Sequence, residues 1–138
     1  MKNKTITQTV TLPSPPSMVF SALMDEKKHG GFTGAPAQID ARVGGAFRCY
    51  GDYIRGITLE LETDKRIVQA WRSQGWPKGY YSIVSFILSG GAGGKTKLRF
   101  SQVGVPAADF KAKSGGWRTH YWEPLKRQLK LGSPSAQS

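Results

Sequence analysis

The chain has 138 residues, the length of one ordinary domain, and its 38% hydrophobic content with 17 Gly and 8 Pro suits a globular fold rich in turns better than a disordered one. Its 20 Lys and Arg against nine Asp and Glu leave a formal charge of +11, which favours acidic partners without choosing among nucleic acid, anionic lipid and protein. The one cysteine excludes an intramolecular disulfide and a cysteine metal cluster, and it fits a reducing, cytoplasmic location.

The N-terminal segment predicts a strand over Thr5 to Leu12, because its apolar residues share one parity. Residues 1–11 contain no apolar run of the kind a signal peptide needs, and the apolar stretch Ile83 to Leu88 is too short to span a bilayer. We therefore expect neither secretion nor a transmembrane segment.

Two short helices are predicted after this strand. Ser14 offers a cap and the prolines that follow favour a helix start, so the first helix should end near Asp25. The second helix, Glu26 to Phe32, is expected to break at Gly30-Gly31.

From Ala37 onward the chain predicts a meander of strands joined by short turns. Such short connections suit antiparallel hairpins, whereas parallel strands would need longer crossovers. The sheet is therefore expected to be antiparallel. The turn residues lie at Gly44-Gly45, Gly51-Asp52, Thr63-Asp64, Gly75 to Gly79 and Gly90 to Gly94.

The C-terminal part predicts a long amphipathic helix over roughly Ala108 to Leu131. Pro124 lies inside it and removes the usual partner of the His120 carbonyl, so a local kink is expected. We expect one domain over residues 1–131 and a loose tail over 132–138. The apolar stripe of the helix consists of Trp117, Tyr121, Trp122, Leu125 and Leu129.

No sequence motif strongly indicates a phosphate-binding, metal-binding or catalytic site. Ser89 to Thr96 ends like a phosphate-binding loop, but a strand pattern follows it where such loops open a helix, so a flexible hairpin turn is the better interpretation. His29 and His120 lack the spacing of metal ligands, and Cys49 lies in an alternating strand with no acid–base residue beside it. We expect no metal, no cofactor and no nucleophilic catalysis.

Several ordered motifs along the chain carry a family resemblance. They are Phe32-Thr-Gly-Ala-Pro36-Ala37, Gly44-Gly-Ala-Phe47, Arg66-Ile-Val-Gln-Ala-Trp71-Arg72, Trp76-Pro77-Lys-Gly79, Gly116-Trp117, Tyr121-Trp122 and Leu125-Lys126. Together they resemble the C-terminal domain of the activator of heat shock protein 90 ATPase, homologue 1 type, within the START-like superfamily, and the resemblance runs from about Ile6 to Leu129. It implies the α+β helix-grip fold, a curved antiparallel sheet wrapped around a long C-terminal helix, with two short helices after the first strand.

The aromatic content and the hollow fold of this family together predict a non-enzymatic domain that holds a small hydrophobic molecule between sheet and helix. Co-chaperones of this type also carry a separate N-terminal domain, whereas pocket binding needs only the domain present here. Apart from Phe32, which belongs to the second predicted helix, the predicted cavity residues lie on common strand faces or on the C-terminal helix stripe. They are Phe32, Phe47, Cys49, Ile67, Trp71, Val84, Phe86, Leu98, Phe100, Trp117 and Tyr121.

Two alternatives stay open at this point. One is an interaction module that binds a chaperone or another acidic protein in the stress response, as the family resemblance and the charge suggest. The other is an enzyme resembling polyketide cyclases and aromatases, for which Gln69, Arg99 and Gln102 are the candidate polar groups. Specific nucleic-acid binding is not expected, because the aromatic side chains of the C-terminal helix lie on its apolar stripe, whereas its Lys and Arg residues lie on the other sides of the helix.

Overall fold

The alternating residues of the first strand and the meander form one seven-stranded antiparallel sheet, which confirms the predicted α+β helix-grip architecture. The computed structural model describes residues 2–132. The strand order is β1-β7-β6-β5-β4-β3-β2, so the first and last strands pair and the rest follow as hairpins. The strands are β1 (Asn3–Leu12), β2 (Gln38–Ile39), β3 (Ala46–Cys49), β4 (Ile54–Glu62), β5 (Arg66–Ser73), β6 (Ser82–Gly90) and β7 (Thr96–Pro106).

Helices cover the inner face of this sheet. Two short helices follow β1, and a longer helical segment closes the fold after β7. The helices are α1 (Pro16–Met24), α2 (Glu26–Thr33), α3 (Phe110–Gly116) and α4 (Glu123–Gly132), with a π-helical turn (Trp117–Trp122) between the last two. Short 3-10 turns occupy Ala92–Gly94 and Ala107–Asp109.

The hydrophobic core lies between the inner face of the sheet and the C-terminal helical segment. Phe86 on β6 and Phe100 on β7 are each 1% exposed, and their rings pack against Trp117 and Trp122 from the π-helical turn. Leu125 continues the apolar stripe and is fully buried. The apolar stripe predicted for the C-terminal helix therefore packs against the inner face of the sheet.

The start of the first short helix differs from expectation, whereas the second begins at Glu26 as predicted. Ser14 does not cap α1, whose N-cap is Pro15; instead, the Ser14 hydroxyl donates to the carbonyl of Leu129 at 3.4 Å. The cap appears at α2, where the Asp25 carboxylate accepts from the backbone amides of Lys27 and Lys28, both at 3.0 Å.

Helix α2 runs unbroken through Gly30-Gly31, which corrects the predicted break. The two glycines permit close packing. A Cβ on Gly30 would lie 3.1 Å from the Ala35 carbonyl oxygen, and one on Gly31 would lie 3.0 Å from Gln128 Oε1. The glycines therefore let α2 approach the adjoining loop and α4.

The irregularity predicted at Pro124 takes the form of the π-helical turn immediately before it. Glu123, the residue preceding the proline, keeps helical dihedrals, so the helical path continues into α4. The His120 carbonyl, which loses its backbone donor to the proline, accepts the Tyr50 hydroxyl at 2.7 Å. A tertiary hydrogen bond thus replaces the missing helical one.

No helix within residues 2–132 is long and apolar enough to cross a membrane. Gly132, the first residue of the predicted tail, ends α4, and the remaining residues of that tail, 133–138, lie outside the described residues.

Candidate functional site

A cavity of about 700 Å³ opens between the sheet and the first part of the C-terminal helical segment. Strand β5 and the loop after it form one wall, the turn before β4 forms a second, and helix α3 with the π-helical turn forms the third. Its lining residues are Tyr50, Tyr53, Ile54, Trp71, Ser73, Gln74, Gly75, Trp76, Gln102, Asp109, Ala112, Lys113, Gly116, Trp117, His120 and Tyr121.

Two indole rings form the apolar floor of the cavity. The rings of Trp71 on β5 and Trp117 on the π-helical turn lie 4.9 Å apart, and Tyr121 packs against Trp117 at 4.8 Å. Each indole nitrogen donates to a buried glutamine at 2.8 Å, Trp71 to Gln69 and Trp117 to Gln102. These hydrogen bonds hold the rings in place, since each buried donor has a single fixed acceptor.

The two glutamines are themselves anchored. Gln69 Nε2 donates to the Thr58 hydroxyl at 3.3 Å, and Gln102 Nε2 donates to the Ser82 hydroxyl at 2.9 Å. Their amide groups therefore serve mainly to orient the indoles. Arg99, the third polar candidate for an enzymatic role, is exposed on the outer face of β7, which corrects its expected place inside the cavity.

Lys113 provides the cationic group of the cavity rim. Its ammonium donates to the Ser73 hydroxyl at 2.7 Å and to the Tyr53 hydroxyl at 3.3 Å. It also lies 4.8 Å from the centre of the Tyr53 ring and 5.8 Å from that of Trp76. Asp109, the carboxylate of the lining, accepts from Trp76 Nε1 at 2.8 Å. One side of the cavity is thus polar.

A second, nearly filled site lies deeper in the core, around His29. Its void measures only about 10 Å³. His29 Nε2 lies 2.8 Å from the Tyr121 hydroxyl and 3.7 Å from Cys49 Sγ, so Cys49 does have an acid–base neighbour, contrary to expectation. The two residues are 20 positions apart in the chain, and no local pattern could have paired them.

Burial keeps this cluster neutral. It raises the pKa of the Cys49 thiol to about 12 and lowers the pKa of the His29 imidazole to about 4. Burial also raises the pKa of the Tyr121 hydroxyl well above its usual value. A thiol with such a high pKa is a poor nucleophile at neutral pH, so the arrangement suits packing better than catalysis.

The predicted cavity residues separate into three groups. Trp71, Trp117 and Tyr121 line the large cavity. Trp71 and Tyr121 also reach the small void, together with Phe47, Cys49, Ile67 and Phe86. The rest are buried in the hydrophobic core: Phe32, Val84, Leu98 and Phe100. That these residues bind a ligand stays a prediction.

Sequence reasoning missed most of the polar side of the cavity. Tyr50, Tyr53 and Ser73 lie at or beside strand ends, where alternation gives no direction for the side chain. Lys113 belongs to a segment rich in Lys and Arg, and nothing in the sequence distinguishes one inward-facing lysine from its exposed neighbours. In the part of the chain that the structure describes, no group of three or more His, Cys, Asp or Glu residues could hold a metal ion.

Comparison with known proteins gives the family. The model of the Activator of Hsp90 ATPase homolog 1-like protein family matches residues 13–130. The human activator of 90 kDa heat shock protein ATPase homolog 1 is 27% identical over 128 residues, which cover 93% of this chain and 38% of the human protein. The chain therefore spans well under half the length of this curated relative.

Solved structures share the fold. An HSP90 activator from Plasmodium falciparum superposes with a TM-score of 0.85 at 24% identity, over 94% of this chain and 97% of that one. CalU16 from Micromonospora echinospora superposes with a TM-score of 0.78 at 23% identity, over 98% and 80%. Since the family model covers most of the sequence, the chain belongs to the Activator of Hsp90 ATPase homolog 1-like family.

Proposed function

We propose that this domain binds a small, largely apolar molecule in the cavity between β5 and the C-terminal helical segment. The observation that carries this proposal is the cavity itself, with its volume of about 700 Å³ and its floor of Trp71 and Trp117. Small-molecule sites have volumes of roughly 300–1,000 Å³ and combine apolar walls with a few placed polar groups. The cavity has the size and the composition of such a site.

The rigidity of the cavity floor supports binding. Both indoles are fixed by buried glutamines, and those glutamines are fixed by hydroxyl groups on neighbouring strands. A preformed site loses little conformational freedom when a ligand enters. Because these buried polar groups already hold one another, a binding role suits them better than a catalytic one.

Titration with N-phenyl-1-naphthylamine, a neutral fluorescent apolar probe, tests the proposal. We expect saturable binding of one probe per chain, and at least about tenfold weaker binding in Gly116→Leu, whose side chain would enter the cavity. Gly115→Leu is the matched control, since a Cβ there meets nothing within 4 Å and Gly115 does not line the cavity. Equal affinities in the two variants would contradict a site in this cavity.

A second candidate function is docking on an Hsp90-type chaperone, as the names of the relatives suggest. The outer face of the sheet carries an apolar row across four strands, formed by Ile57, Ala70, Ile83 and Val103, which pair in register. Ile57, Ile83 and Val103 are 39–50% exposed. We propose that this row, on a chain with a charge of +11, fits a chaperone surface that combines apolar and acidic residues.

Calorimetric titration with the host's own 90 kDa heat shock protein tests this second function. Ile83→Glu should weaken binding at least about tenfold, because it places a charge in the centre of the apolar row. Thr9→Glu adds the same charge on the exposed side of β1, away from that row, and should change binding little. Binding that is equal in both variants, or insensitive to salt, would rule out this surface.

A further inference from the structure

We infer that the cavity selects ligands that carry an anionic group, a carboxylate or a sulfonate on an aromatic or long aliphatic body, and that Lys113 binds that group. The inference rests on the proposed ligand-binding function and names the chemical class of the ligand. The apolar body would lie against Trp71 and Trp117, and the anion would lie at the rim.

Two hydroxyl groups hold the Lys113 ammonium at the cavity rim. Lys113 projects from α3 into the cavity, where it is half-buried, and two of its donors are used by Ser73 and Tyr53. An ammonium group has three donors, so one is available to a ligand. Ser73 is 3% exposed, and its hydroxyl fixes the ammonium on the cavity side of the helix.

The Lys113 charge has neutral groups as its direct partners. Across residues 2–132 the ion pairs formed within 4.0 Å do not include Lys113. Its hydrogen-bond and cation–π partners are the Ser73 and Tyr53 hydroxyls and the rings of Tyr53 and Trp76, and all of these groups are neutral. A cation that is partly removed from water and lacks a counter-ion attracts an anion more strongly than an exposed cation does.

Asp109 contributes a carboxylate to the cavity lining. Asp109 Oδ2 accepts from Trp76 Nε1, and the carboxylate lies beyond ion-pair distance of the Lys113 ammonium. Asp109 therefore leaves the Lys113 charge without a direct partner, and it disfavours an anion on its own side of the rim. The ligand anion consequently has one favourable place in the cavity, beside Lys113.

A pair of probes with the same skeleton tests this inference. 8-Anilino-1-naphthalenesulfonate and N-phenyl-1-naphthylamine share their two aromatic groups, and only the first carries a sulfonate. In Lys113→Met we expect the sulfonate probe to bind about tenfold more weakly, while the neutral probe changes by less than about twofold. Lys111→Met removes an equal charge from an exposed position outside the cavity and should leave both affinities near wild type.

The outcomes separate this inference from the function on which it rests. If neither probe binds the wild-type chain, the proposed function fails as well. If the neutral probe binds but Lys113→Met leaves the sulfonate probe unaffected, or weakens both probes equally, only the inference is overturned. Should Lys113→Met fold poorly in thermal unfolding, Lys113→Gln replaces it. The wild-type chain gives an independent readout, because rising ionic strength should weaken only the sulfonate probe.

Discussion

The His29 imidazole is buried without a partner for one of its nitrogens. The ring is 1% exposed, and its Nε2 is hydrogen-bonded to the Tyr121 hydroxyl. Its Nδ1 has no hydrogen-bond partner among the described residues. Burial lowers its pKa from 6.5 to about 4, so the unfolded chain binds a proton more readily between these pH values. The free energy of unfolding that this histidine contributes is therefore fully present above pH 6.5 and is lost as the pH falls towards 4. The loss is on the order of 3 kcal/mol.

Denaturant titrations between pH 7.5 and pH 4 measure this loss. His29→Gln keeps a group that can hydrogen-bond Tyr121 but cannot titrate, so its stability should fall less over the same range. His120→Gln is the matched control for the substitution itself, because it makes the same replacement at an exposed histidine. An unchanged pH dependence in His29→Gln would show that other groups dominate acid unfolding.

Trp117 has both a packed side and a cavity side. Its ring lies 4.2 Å from that of Phe100 and 5.5 Å from that of Trp122, and it also lines the large cavity. We expect Trp117→Ala to destabilise the domain by about 3–5 kcal/mol, because the packed contacts with Phe100 and Trp122 are lost.

Denaturant titration of Trp117→Ala beside Trp76→Ala checks this prediction. Trp76 lines the cavity rim and packs on Tyr80 outside the core cluster, so Trp76→Ala should destabilise the domain less than Trp117→Ala does. A loss below about 2 kcal/mol in Trp117→Ala would mean that this ring mainly faces empty space.

At the scale of elements, the junction between the π-helical turn and α4 depends on one tertiary hydrogen bond. Pro124 cannot donate to the His120 carbonyl, and Tyr50 supplies the donor from the turn before β4. Tyr50→Phe should therefore destabilise the domain by about 1 kcal/mol, since it removes one hydrogen bond and little volume.

A double-mutant cycle checks this prediction. Tyr80→Phe, which removes the hydroxyl bonded to the Gly104 carbonyl, is the matched control for the loss of a tyrosine hydroxyl elsewhere. Pro124→Ala restores a backbone donor, so Tyr50→Phe should matter less in that background, whereas Tyr80→Phe should matter as before. Full additivity of Tyr50→Phe with Pro124→Ala would contradict the account.

The strands and the C-terminal helix were predicted from the sequence, but the hydrogen bond at this junction was not. Alternating apolar residues and turn glycines predicted the antiparallel meander, and the stripe from Trp117 to Leu129 predicted the C-terminal helix. Local patterns also showed that the His120 carbonyl would lose its donor. They could not identify the replacement, because Tyr50 is 70 positions away and reaches His120 only in the folded chain.

The candidate site was predicted less completely than the fold, for a related reason. Period-two alternation identified the inward faces of the strands, and helical spacing identified the inward side of the C-terminal segment. Every predicted site residue, including Phe32 on α2, is buried. Whether an inward side chain meets packed atoms or empty space depends on helix placement. Helix α3 leaves space beside Trp71, whereas the sheet and the π-helical turn fill the volume around Phe100.

At the scale of the whole molecule, the two faces of the sheet have different properties. The inner face and the C-terminal helical segment enclose the cavity, and the outer face presents the apolar row of Ile57, Ala70, Ile83 and Val103. Ligand binding and protein docking would therefore use separate surfaces. A ligand that enters the cavity should stabilise the whole fold, by roughly 2.7 kcal/mol at a concentration one hundred times its dissociation constant.

The indole N–H signals in a ¹H–¹⁵N spectrum test the central claim, that the cavity binds a small apolar molecule, most directly. The chain has four tryptophans, of which Trp71, Trp76 and Trp117 line the cavity. Trp122 instead donates to Gln8 Oε1 at 2.7 Å and serves as the internal control. Titration with N-phenyl-1-naphthylamine should shift the three cavity signals along one saturable curve and the Trp122 signal much less. Unmoved cavity signals at saturating probe, or equal shifts in all four, would contradict a ligand site in this cavity.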